Sequence, residues 1–166
     1  MPIADTLIAE LEREAQTTRR VLERVPTDKL TWKPHAKSMS LGRLAQHVAT
    51  IPGSISGMAM LDSFDVEKFS EPPQLESTAA ILAAFDESVA QAKTNLDATD
   101  DAAMMKQWSF NMGGQPIMPL PRIGVYRVIL LNHLYHHRGQ LSVYLRLLDV
   151  PVPSIYGPSA DENPFG

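Results

Sequence analysis

Between Pro121 and Asp149 one pattern repeats: Tyr126, Leu130, His133, His137, Gln140, Tyr144 and Leu147 recur at alternating steps of four and three. That period puts them on one face of a long helix, a face that has to be covered by other helices. His133 and His137 sit on this stripe at i and i+4, side by side, a spacing at which two imidazoles can share one ion. The plain alternative is a pair of core histidines hydrogen-bonded to their neighbours. Two ligands do not make a site, so the rest of the chain decides.

Three further segments carry the helical period. From about Ala4 to Val25, Leu7, Ile8, Leu11, Ala15, Leu22 and Val25 form a stripe, and Pro26 stops it. Ser40 is a plausible N-cap for a second helix, in which Leu41, Leu44, His47, Val48, Ile51 and Ile55 point inward and Pro52-Gly53 predicts a kink or break before a continuation toward Leu61. A third helix is expected from Ser77 to Asn95, burying Ile81, Leu82, Phe85, Val89, Ala92 and Leu96. Thr27 to Met39 reads as an ordered loop and Asp62 to Gln74 as an exposed acidic connection. Asn111 to Gln115 is rich in turn residues and could close a short β-hairpin before the last helix, which then begins after Pro121. The proline-rich tail from Asp149 to Gly166 is expected to lie over the helices with Ile155 and Tyr156 packed down.

Four amphipathic helices with long connections make an all-α four-helix bundle, one domain over residues 1–166. Such bundles build metal sites from inward side chains on different helices. His47, on the second helix, then stands as third ligand beside His133 and His137, leaving an open side for water or substrate. The chain contains no cysteine, so thiolate ligands, cysteine nucleophiles and disulfides are excluded. A net charge of −4 offers no general attraction to phosphate backbones, and nucleic acid is not expected as a partner. No apolar run approaches the roughly 20 residues of a spanning helix. The start Met1-Pro2-Ile3-Ala4-Asp5 lacks a basic region followed by an apolar core. A cytoplasmic location without membrane contact is the expectation.

Three stretches carry a family resemblance. They are Trp32-Lys33-Pro34 through Ser40-Leu41-Gly42-Arg43-Leu44-Ala45-Gln46-His47, then His133-Leu134-Tyr135-His136-His137-Arg138-Gly139-Gln140-Leu141, and Val152 to Ser159. In order and spacing the chain resembles the DinB family, the DinB/YfiT-like metalloenzyme group. The resemblance implies an up-down-down-up bundle, commonly a homodimer, with a divalent metal, often nickel or zinc, at the positions of His47, His133 and His137. Iron or manganese would also suit such donors. Relatives in that family include thiol-dependent S-transferases, a maleylpyruvate isomerase and many members of no known activity. The family name refers to induction by DNA damage, which concerns expression and not DNA binding.

Neighbouring residues read as supporting. His136 is expected to back a ligand or meet a partner chain, Arg138 to form a structural or solvated ion pair, and Gly139 to allow close approach of another backbone. His35 reads as a surface histidine, and Trp32 and Tyr156 as packing residues that also wall a pocket. The function expected is a metal-dependent enzyme of the thiol S-transferase or hydrolase type, acting on a small molecule, with a low-molecular-weight thiol as cosubstrate in the transferase case. Its general base is not visible, since no His-Glu-x-x-His motif is present. The rival expectation is a non-catalytic metal-binding or small-ligand-binding stress-response protein.

Overall fold

A computed structural model describes residues 1–165. The long helices fall where the apolar period placed them: α1 is Ile3–Leu22, α2 Leu41–Ala59 and α3 Thr78–Asp97. A short α4, Asp101–Met105, follows. The last helical run is α5 (Arg122–Gly124), a π-helical segment (Val125–Leu131) and α6 (Asn132–Leu147), joined end to end. α2 packs against α3, the π segment and α6, while α1 packs against α3 and α6. One core of buried residues, including Leu11, Leu22, Leu44, Val48, Ile81, Phe85, Leu134 and Leu141, joins these helices.

The local reasons are legible. Ser40 Oγ accepts from the Arg43 N–H and Ser77 Oγ from the Ala80 N–H, each satisfying an orphan donor of a first turn. Gly42 lies against Leu30, where an added Cβ would stand 3.0 Å from the Leu30 carbonyl oxygen. α2 runs through Pro52 without a break. Pro52 brings no N–H to the helix, and at the next residue the Gly53 N–H donates to Ser88 Oγ of α3 at 2.7 Å.

An all-α chain was expected, and the connections correct this. β1 (Ser63–Asp65), β2 (Gln107–Met112) and β3 (Gln115–Pro121) form a three-stranded sheet in the order β1-β2-β3, parallel between β1 and β2 and antiparallel between β2 and β3. The hairpin sits where the turn residues predict it. Gly113 and Gly114 both have positive φ (55° and 78°), as a tight two-residue hairpin turn requires. Asp65 ties the first strand in, its carboxylate accepting from the Gly114 N–H at 2.9 Å. The hairpin packs Trp108 and Phe110 edge to face, with Trp108 buried.

Candidate metal centre

α2 brings His47 against α6, where His133 and His137 lie one turn apart. His47 Nε2 and His133 Nε2 are 3.2 Å apart, and one ring nitrogen from each of the three histidines falls within 4.8 Å of the others. Two nitrogens bound tetrahedrally to one ion at about 2.0–2.1 Å would stand about 3.3 Å apart. The donor set therefore fits a divalent transition ion, and the three histidines form a group that could hold one. His137 Nδ1 pairs with Gln140 Oε1 at 2.7 Å, which leaves its Nε2 free to point at the other two rings. His133 has a backbone hydrogen bond to Ile129, inside the π segment.

The histidines do not occupy the core stripe that the sequence assigned them. All three are half-buried, and Gln140 and Leu147 are exposed. The buried stripe of α6 is Leu134, Arg138, Leu141 and Leu145, one residue further along. The π segment explains the displacement, because its wider turns rotate everything after Leu131 relative to an unbroken 3.6-residue repeat. The result places the imidazoles on the rim of the helix contact, where one side of the group stays open.

Burial first, and the His137 imidazole second, push His47 down to about 4. Burial, then His137, His47 and His136, push His133 down to about 4. His137 is lowered too, chiefly by burial, with its Gln140 hydrogen bond acting against the shift. The rings are thus held neutral, the form that binds a metal. The folded values lie below the roughly 6.5 of an unfolded histidine, so between about 6.5 and 4 the unfolded chain takes up protons that the folded chain refuses. Stability of the metal-free protein should therefore fall as pH drops through that window. Thermal melts at successive pH values check this, and the slope should be smaller in a His47→Gln/His133→Gln variant; equal slopes would remove the histidines as the cause.

Beside His47 opens a cleft of about 410 Å³ between α2 and residues 69–72, with Met39, Arg43, Thr50, Phe69, Glu71 and Pro72 among its walls. Sequence reasoning missed these residues as a group. The signal was there: Arg43, His47, Thr50 and Ser54 follow the 4-3-4 period along one face of α2. Gln46 holds the opposite wall, its amide donating to the Pro73 carbonyl at 2.9 Å and accepting from the Leu75 N–H at 2.8 Å.

The family profile of the DinB family matches residues 1–163. The chain belongs to the DinB family. Among DinB-like folds, a protein of Bacillus cereus ATCC 10987 superposes with a TM-score of 0.72 at 22% identity, covering 93% of this chain and 98% of the other. A DinB-like protein of Bacillus subtilis gives a TM-score of 0.70 at 14% identity, covering 90% and 97%. In sequence, the chain is 27% identical over 158 residues to the uncharacterized protein YrdA of Bacillus subtilis (strain 168), covering 95% of this chain and 90% of YrdA.

The remaining expectations for this DinB-family chain divide. His35 is exposed, its Nδ1 accepts from the Lys37 N–H, and it is not part of the histidine group. His136 is exposed, its ring 4.8 Å from that of His137. Gly139 meets nothing within 4 Å of an added Cβ, which overturns the close-approach reading. Trp32 stacks edge to face on Tyr144. Ile155 packs on the core, but Tyr156 is 70% exposed, its hydroxyl bonded to Glu14 and Arg138 and its ring set against the Arg138 guanidinium. Among the described residues no helix is long and apolar enough to cross a membrane.

Proposed function

We propose that this DinB-family protein is a divalent-metal-dependent enzyme of the thiol S-transferase or hydrolase type, with His47, His133 and His137 as the ligands. The observation that carries the reading is the convergence of three neutral imidazoles beside a cleft, with no fourth His, Cys, Asp or Glu in the group among the described residues. A bound divalent ion, nickel or zinc first by the donor set and family, would supply Lewis acidity that makes a water or thiol nucleophilic near neutral pH. The chain's own residues hold and orient: Gln140 fixes the His137 ring, and α2 presents His47 to the cleft. A panel of thiols with electrophiles, and of esters and amides, tests it. Turnover should vanish on chelation, return on reloading and be absent from His133→Ala; turnover that survives both would refute metal dependence.

One observation favours the rival reading of a non-catalytic binding protein. Among the described residues, no carboxylate hydrogen-bonds any of the three histidines, so no carboxylate base is held against them. Complete failure of the panel with a loaded protein would favour that reading.

The same proposal takes residues 1–166 as one domain, in an up-down-down-up bundle, acting in the cytoplasm as a homodimer. Val128, Val143 and Leu147 are exposed along the last helical run, which supports a partner chain there. Sedimentation equilibrium should give twice the 18.3 kDa of one chain; a monomer at micromolar concentration would refute the dimer.

A further inference from the structure

The polar stripe of α2 faces the cleft in a fixed order: Arg43, then His47 one turn on, then Thr50 and Ser54. Arg43 is a cation in a cleft whose apolar walls are Met39, Phe69 and Pro72 and whose polar walls include Thr50, Ser54 and Glu71. Its guanidinium is anchored on one side only, donating from Nη1 to the Pro72 carbonyl at 2.8 Å. On the other side, Glu71 reaches in from the connecting segment and sets Oε1 3.1 Å from Nε. The Glu71 side chain is 58% exposed and that of Arg43 26%, so the cation is the more sheltered member and the carboxylate stands on the solvent side of the cleft wall. Nη2 has no hydrogen-bond partner among the described residues. A guanidinium with Nη2 unused and only an exposed, exchangeable carboxylate beside Nε is a carboxylate site that the protein's own side chain partly fills.

We propose that the cleft binds a small apolar molecule through a terminal carboxylate on Arg43, in competition with Glu71, and so presents the next few atoms of that molecule to the histidine group. The inference rests on the proposed function for its meaning, since it names the substrate class of that site. Arg43 and His47 are four residues apart, about 6 Å along the helix axis, so the anchored charge and the histidine group share one wall of the cleft. Met39, Phe69 and Pro72 cover the apolar part. Glu71 then acts as a built-in competitor, and its ion pair, being exposed, is cheap to displace.

The test uses hexanoate as probe and hexanamide as its neutral match, titrated by NMR into metal-free protein so that no ion can bind the carboxylate. Hexanoate should shift the Arg43 Nε–H and Phe69 resonances, and hexanamide should bind markedly more weakly. Glu71→Gln should tighten hexanoate binding by about two- to fivefold, the worth of an exposed ion pair. Glu76→Gln, the same charge change on an exposed residue that does not line the cleft, should leave it unaltered. Arg43→Gln should erase the preference for hexanoate over hexanamide; if that variant does not fold, Glu71→Gln and the amide control still decide. Equal binding of acid and amide, no hexanoate binding at millimolar concentrations, or equal effects of the two glutamate variants would overturn the proposal. Metal uptake by the same wild-type preparation separates the two claims: uptake without hexanoate binding ends this inference alone, and hexanoate binding without uptake ends the metal reading alone.

Discussion

Glu14→Ala should destabilise the protein by about 3–5 kcal/mol, the cost of leaving one member of a buried ion pair without its partner. Arg138 is 1% exposed and stands on the core stripe of α6 between Leu134 and Leu141. Its Nη1 donates to Glu14 Oε2 at 2.6 Å and to Thr18 Oγ1 at 3.1 Å, both on α1. Its Nη2 donates to the Tyr156 hydroxyl at 2.5 Å, and the Tyr135 and Tyr156 rings flank the guanidinium at 5.4 and 5.0 Å. Tyr156 also donates to Glu14 Oε2, so helix, tail and α1 meet at one carboxylate. Removing that carboxylate leaves the cation buried with neutral partners only. A midpoint shift on the order of 10 °C in thermal unfolding is expected for a chain of this size. Replacing both members, as in Glu14→Leu with Arg138→Met, should recover much of the loss, because the desolvation cost of the pair disappears with it. A fall below about 1 kcal/mol for Glu14→Ala would mean that water reaches the guanidinium and that the pair behaves as a surface one.

This pair also bears on the site. Arg138 follows His137 directly, so the contact that fixes the rotation of α6 on α1 also fixes the direction in which His133 and His137 leave the helix. The arginine was legible as an ion pair in the sequence but not as a buried one. Its position four after Leu134 and three before Leu141 was the signal, masked by reading the histidine stripe as the inward one. Both stripes have the helical period, and only the π segment, which leaves no mark in composition, decides which faces in.

The helices themselves were readable because their apolar residues repeat, their first turns carry Ser40 and Ser77, and Pro26 and Pro121 mark ends. The hairpin was readable because Gly113-Gly114 suits only a tight turn. β1 was not, since three residues, Ser63-Phe64-Asp65, hold too little alternation to register and are strand only because β2 lies beside them. The histidine group was found from i, i+4 spacing plus one inward histidine on another helix. The cleft was not, because one wall of it comes from residues 69–72, which have no period of their own.

The largest functional effect expected is on metal affinity. His47→Ala, His133→Ala and His137→Ala should each weaken binding by more than about 100-fold, beyond the 10–100-fold typical of losing a residue that only supports a ligand. Gln140→Ala should fall inside that smaller range, since it removes the partner of His137 Nδ1 and not a donor. His35→Ala should change nothing, its ring being exposed in the loop before α2.

Zinc or nickel titration into the chelator-stripped protein, followed by calorimetry and elemental analysis after dialysis, tests the account most directly. It predicts one ion retained per chain by the wild type and none by the His47→Ala/His133→Ala double variant. A wild type that retains no ion, or a double variant that retains it as tightly as the wild type does, would contradict it.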